Sequence, residues 1–328
     1  MMRRLAVALA IAALASVPLW LANSYYVNIL SQILIWAMLA LSVNLLAGYA
    51  GLVSLGHAGL FGFACYAAVL LSTAGASQLL AAVAALAATL VASAAFAVLS
   101  LRSTGIGFLM ITLALGQILW GIAYRWISLT NGDNGINLAS RPAPFGLALE
   151  SPGAFYLATL AAFLLVAAVL RIVVASPFGA SLRGTRDQPR RMTALGYNVW
   201  LIRFLAFLFS GLVAGIAGLF FLYYDKFVSP HALSLATSAE ALLMVISGGT
   251  GTLIGPIAGA ALVVVMKYVA SAYIERWNLL LGAIFVAIVL FMPEGLVPGA
   301  VRLSRALRRA WRARGSAASL GTGGSGDR

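Results

Sequence analysis

The sequence predicts an all-α integral membrane protein, a polytopic helical bundle of about ten membrane segments with some helices broken by glycine. Composition is the first reason: of 328 residues, 62% are hydrophobic and only 9% charged, with a mean hydropathy of +1.01. A soluble domain carries about 25% charged residues. Length is the second, because apolar runs of about 20 residues, enough for a helix to cross hydrocarbon, recur from end to end. The short alternating segments of a membrane barrel do not appear.

Residues 5–22, behind "MMRR", form the first run. A basic start and apolar core would also suit a secretory signal peptide, but the many later spans favour a retained first helix. Further runs lie near 26–46, 52–72, 78–100, 104–124, 154–175, 201–224, 234–247, 255–274 and 279–297. Parity orients them. With a cytoplasmic N-terminus, six spans return the chain to the cytoplasm at the 176–200 loop, where Arg183, Arg186, Arg190 and Arg191 crowd together. Four more bring it back for the run Arg302, Arg305, Arg308, Arg309, Arg312 and Arg314, and Arg102 also falls inside. The positive-inside bias is met at each cluster, so both termini are expected in the cytoplasm and the 125–153 loop outside. This reading divides the chain into 1–25 (basic start and first apolar helix), 26–300 (the membrane domain) and 301–328 (a basic, then Gly/Ser-rich cytoplasmic tail expected to be disordered).

The net charge of +13 is thus accounted for by topology, and without aromatic residues interleaving most of the arginines no nucleic-acid partner is expected. Cys65 is the only cysteine, so neither an intrachain disulfide nor a cysteine metal cluster is expected. No GxxxxGK[ST] phosphate loop is present.

Two segments interrupt apolar sequence. In "GYAGLVSLGHAGLFG", Gly48, Gly51, Gly56 and Gly59 each weaken a helix by about 1 kcal/mol relative to alanine, and His57 adds an ionisable group. In "SGGTGTLIGPIAGA", Gly248, Gly249, Gly251 and Gly255 are joined by Pro256. Such breaks serve either as tight helix crossings or as unwound backbone facing a pathway. Paired Gly/Pro interruptions in two parts of a chain point to a translocation pathway. Glu240, in the span before the second break, must face the protein interior or a wet cavity, with structural pairing as its other role.

Between the two breaks, "SPFGASLRGTRDQPRRMTALGYNVW" predicts a short helical pair after Pro177. Asp187 is expected to cap the second helix, Pro189 to stand in its first turn and Gly196 to end it. A basic, capped pair suits docking against a cytoplasmic partner, and equally suits arginines that hold topology and touch phospholipid headgroups.

These pieces, in order, resemble the permeases of branched-chain amino acid ABC importers, specifically the LivM-type subunit. The segments that carry the resemblance are "NLLAGYAGLVSLGHAGLFGFACYAAVLL", "LTNGDNGIN", "SPFGASLRGTRDQPRRMTALGYN", "ALLMVISGGTGTLIGPIAGA" and "FMPEGLVPG", spanning about residues 28–300. The resemblance implies a non-enzymatic subunit of the bacterial inner membrane that binds no cofactor itself. It implies a LivH-type permease partner, two cytoplasmic ATPase subunits that use the ATP, and a periplasmic or extracytoplasmic binding protein that delivers substrate. The 176–200 loop corresponds to the family's ATPase-coupling segment, which assigns that role to Arg183, Arg186, Asp187, Arg190 and Gly196. The sequence departs from the family's usual pattern near Pro189 and Arg191, where acidic or small residues are common. Urea or short amides are the alternative cargo. An ATP-independent secondary transporter is the alternative mechanism, and would usually show more intramembrane carboxylates than Glu240. A membrane enzyme would need clustered histidines or paired carboxylates, whereas His57 and His231 lie in separate segments.

Overall fold

The computed structural model describes residues 13–16, 18, 23–141, 149–273, 277–291, 295–297 and 299. The 301–328 tail and most of the first predicted span lie outside these residues. The described chain is helical: α1 (Ser24–Asn44, continued by a π turn over Leu45–Ala50), α2 (His57–Thr73), α3 (Gln78–Ser100), α4 (Ile106–Arg125) and α5 (Pro152–Ala175). There follow α6 (Pro177–Asp187), α7 (Pro189–Ala194), α8 (Val199–Asp225), α9 (Leu235–Gly248), α10 (Ile254–Tyr273) and α11 (Trp277–Phe291).

Start signals in the sequence explain most of these boundaries. Ser77, Ser151, Ser176, Asn198 and Ser234 each stand just before a helix, and each side chain accepts a hydrogen bond from a first-turn amide. Pro152 and Pro177 follow two of these caps, where a missing N–H costs nothing.

Among the described residues, five helices are long and apolar enough to cross a membrane: α1 with its π turn, α3, α4, α5 and α8. The predicted span at 52–72 contracts to the shorter α2, because the glycine segment before it is not helical, and the run at 234–247 is matched by the 14-residue α9. Burial divides the long helices into two classes. In α1, 78% of the spanning window is buried and in α8 61%, against 22–28% in α3, α4 and α5. The first two therefore form the core, around which α2, α5, α9 and α10 pack, and the others present apolar faces outward.

The two ends of the bundle differ. One carries α6, α7 and both glycine breaks. The other carries a feature the sequence reading lacks, a two-stranded antiparallel ribbon of β1 (Ile136–Asn137) and β2 (Phe227–Val228). Two residues per strand leave too short a pattern to detect by alternation. Arg141 fastens this end: its guanidinium donates to the carbonyls of Tyr223 (2.9 Å) and Tyr224 (3.2 Å) in the last turn of α8. It also lies 4.6 Å over the Phe155 ring. Lys226 ends α8 in the left-handed region (φ 54°) and donates to Glu150 at 2.8 Å.

Replacing Arg141 by Gln should speed amide exchange severalfold across Ile136–Leu138 and the last turn of α8, with membrane insertion unchanged; hydrogen exchange in detergent measures it. The bonds from Lys226 and the Arg141 amide hold the Glu150 carboxyl below the usual carboxylate range. The depressed value means that its contribution is present above the ordinary carboxylate pKa and lost as pH falls through the folded one. Exchange at this end should accordingly rise on strong acidification in the wild type and lose that response in Glu150→Gln.

Candidate functional site

The two glycine breaks, far apart in sequence, meet in space. At the first, α1 widens into the π turn, and the amides of Gly51 and Leu52 both donate to the Leu46 carbonyl. The turn resolves through Gly51 in the left-handed region, φ 69°. At the second, α9 stops at Gly249 and the chain turns through Gly251, with φ of 113° and 74°. Asn44 joins them. Its side-chain amide donates to the Thr252 carbonyl (2.8 Å) and its oxygen accepts from the Gly251 amide (3.0 Å), across a sequence separation of 208 and 207 residues. A β-carbon at Gly48 would run into the Asn44 oxygen and the Gly251 backbone nitrogen.

Helix α6 lies on this junction. Arg186 donates to the Gly48 carbonyl at 2.7 Å, and its aliphatic stem covers Gly51, where a β-carbon would come within 2.5 Å of the Arg186 Cγ. Arg183 donates to the Val174 carbonyl at the end of α5 (3.1 Å), and Arg203 of α8 donates to the Thr185 carbonyl (2.9 Å). Leu182 and Thr185 are fully buried beneath α6. One short helix is thus bonded to three long ones. Beyond it the surface opens: Asp187, Arg190 and Arg191 are exposed, as are Leu195 (67%) and Tyr197 (47%).

Gly196 ends α7 as expected, with φ 86° and the Tyr197 amide returning to the Met192 carbonyl at 3.1 Å. Asp187 does not cap α7. It closes α6 and accepts from Arg186 at 2.8 Å, so the capping position falls to Gln188, whose side chain makes no cap bond. The neighbouring guanidinium competes successfully for the carboxylate.

The remaining predicted residues fall in other layers. Gly56 and Gly59 pack α2 against α4, their β-carbon positions 2.6 Å from the Thr112 carbonyl oxygen and 3.0 Å from the Gly116 Cα. His57 is buried, with Nε2 2.7 Å from the Ser210 Oγ and Nδ1 3.1 Å from the Ser54 Oγ. Ser210 in turn donates to the Ser42 carbonyl (2.7 Å), while Ser42 donates to that of Ser210 (2.8 Å). Both ring nitrogens are therefore satisfied within a closed polar layer. Gly248 and Gly255 abut each other's backbone where α9 crosses α10, and Pro256 is buried in the first turn of α10. Glu240 stands apart, half-buried on α9 nearer the ribbon end, about 12 Å along the helix from Gly248. Among the described residues no His, Cys, Asp and Glu group forms a metal-binding cluster.

Sequence reasoning passes over Asn44, Thr252, Arg203 and Lys267. Asn44 carried a usable signal, since an amide within "LALSVNLLAG" breaks an apolar run as plainly as His57 does.

Residues 25–289 match the protein family described as the permease component of branched-chain amino acid transport systems. The high-affinity branched-chain amino acid permease LivM of Escherichia coli K12 is 28% identical over 298 residues, covering 83% of this chain and 70% of that protein. Its counterpart in Salmonella typhimurium LT2 is 28% identical over 300 residues, with the same coverage. A solved metal-chelate-type ABC transporter in an inward-facing conformation aligns with 88% of this chain and 98% of its own, at a TM-score of 0.48 and 17% identity.

Adding one carbon at Gly48 should destabilise the junction by about 1–3 kcal/mol, the range for overpacking. Gly121 has nothing within 4 Å of its β-carbon position, so Gly121→Ala should be neutral or slightly stabilising. Thermal unfolding of Gly48→Ala and Gly121→Ala in the same detergent checks the contrast, and Asn44→Ala should resemble the first.

Proposed function

The chain belongs to the family of branched-chain amino acid permease components, and from that premise we propose that it forms one membrane half of an ATP-driven importer for branched-chain or related apolar amino acids. The observation that carries the coupling part of this reading is the Arg186–Gly48 bond, which ties the exposed α6–α7 surface to the broken end of the most buried span.

In this reading about ten segments cross the inner membrane, both termini are cytoplasmic, and α6–α7 face the cytoplasm. One of the two ATPase subunits docks on Arg190, Asp187 and the Leu195–Tyr197 surface, a LivH-type permease completes the pathway, and an extracytoplasmic binding protein supplies the amino acid. The chain binds no cofactor and alters no covalent bond. Closure of the ATPases on ATP displaces α6, and Arg183, Arg186 and Arg203 pass that displacement to α5, α1 and α8. The glycines let backbones approach closely enough to repack at each stroke. ATP must favour one arrangement differentially for any of this to move substrate.

Purification of the tagged chain from its native membrane should recover a second glycine-rich permease and ATPase subunits, identified by mass spectrometry. In proteoliposomes, uptake of leucine should require ATP and binding protein. Arg186→Ala should let ATP hydrolysis continue while uptake falls about tenfold or more. ATP-independent transport by the chain alone would contradict the proposal.

A further inference from the structure

At the ribbon end, a cavity of about 310 Å³ opens between α1, α2, α8, α9 and α10. Its walls combine two chemistries. Trp36, Phe61 and Phe221 form an aromatic cluster, with ring centroids 6.0 Å apart for Trp36 and Phe61, 5.1 Å for Phe61 and Phe221, and 6.2 Å for Trp36 and Phe221. Glu240, Asp225 and Lys267 line the same space, with Lys267 close enough to interact electrostatically with both carboxylates and its Nζ 6.0 Å from the Trp36 ring centroid. Ionisable groups on helices in an apolar bundle are expensive, and three from three different helices converge here. Below the aromatic floor the way is shut: Ser42, one and two-thirds turns beyond Trp36 on α1, belongs to the closed Ser42–Ser210–His57 layer.

We propose that this cavity is a binding station for a zwitterionic amino acid with an apolar side chain. The α-ammonium group faces Glu240 and Asp225, the α-carboxylate faces Lys267, and the side chain lies on Trp36, Phe61 and Phe221. A ligand with both charges on one carbon and an apolar remainder matches that division, and the volume is at the small end of the range for ligand pockets, about 300–1,000 Å³. A ligand that carries both signs of charge meets both signs on the wall, which a single-charge ligand does not. The proposal deepens the permease reading and rests on it for the identity of the cargo.

The test uses tritiated leucine with the tagged chain and its co-purifying membrane subunits, free of binding protein. Leucine should bind saturably. Isoamylamine, which lacks the carboxylate, and isovalerate, which lacks the ammonium, should compete at least about tenfold less well. Glu240→Gln and Lys267→Met should each weaken binding by a similar factor, with thermal unfolding confirming that both variants remain folded. Absence of saturable binding to the wild type, or equal competition by the single-charge compounds, overturns the proposal without reliance on any variant. ATP-dependent uptake is measured in parallel. Wild-type uptake that neither substitution changes rejects the cavity and leaves the permease reading standing, whereas leucine binding without any ATP-dependent uptake rejects the permease reading and leaves the cavity.

Discussion

Broken backbone in an apolar bundle must find partners inside the protein, and this requirement organises one end of the molecule. Where α1 loosens into its π turn and α9 stops, amides and carbonyls lose their helical partners and are paired by other groups. Asn44 satisfies one group from each side of the Gly251–Thr252 turn, and Arg186 takes the Gly48 carbonyl. The solution works only if side chains are absent elsewhere. Gly48 and Gly251 approach so closely that a single carbon would separate them, and Gly51 lies beneath the stem of Arg186. Glycine here gives up helix stability of about 1 kcal/mol per residue to permit hydrogen bonds whose loss in a buried setting would cost at least as much.

The same junction gives α6 its mechanical meaning. A surface helix resting on apolar contact alone could slide. Three arginine bonds hold it at the bundle end: Arg183 and Arg186 donate to carbonyls of α5 and the π turn, and Arg203 of α8 donates to the Thr185 carbonyl of α6. Guanidinium groups suit this because their donors form a planar fork and remain charged. Two of the four loop arginines that a topology argument counts only as positive charges, Arg183 and Arg186, are therefore spent on structure. Arg190 and Arg191 stay exposed and available to headgroups or to a partner.

Much of this was legible in the sequence. Apolar run length located the long helices to within a few residues, and Ser, Asn and Pro marked their starts. The two glycine segments were visible as breaks. Their direct contact was not visible, because it depends on Asn44 reaching across more than two hundred residues, and nothing local announces such a pairing. Asp187 failed as a cap for a comparable reason: two favourable roles were open to one carboxylate, and spacing alone does not rank them. The candidate pathway residues were read as one set, yet the fold spreads them over three levels. The junction holds Gly48, Gly51 and Gly251, the middle layer Gly56, His57 and Gly59, and the cavity wall Glu240. One-dimensional proximity to a glycine break does not specify depth.

These levels are connected by the helices that carry them. Helix α1 bears Trp36 at the cavity floor, Ser42 in the closed layer and Asn44 at the junction, within about 12 Å along one axis. Helix α9 bears Glu240 and Gly248, and α10 bears Lys267 and Gly255. A helix transmits a push along its axis with little compression, so in the proposed importer a displacement of α6 acts on the junction and on the cavity through the same rigid elements. The middle layer then decides the outcome. Ser42 and Ser210 bind each other's carbonyls and hold α1 to α8, so the two most buried spans are expected to move together. The α9–α10 pair is joined to α1 at the junction through two hydrogen bonds of Asn44, and to each other by glycine contacts that carry no side chain. That second seam also carries a bond at the cavity, where the Tyr268 hydroxyl donates to the Gln32 side-chain oxygen at 2.7 Å. Since Glu240 and Lys267 lie on one side of it and Trp36 on the other, opening the seam would change the spacing between the cavity's charges and its aromatic floor.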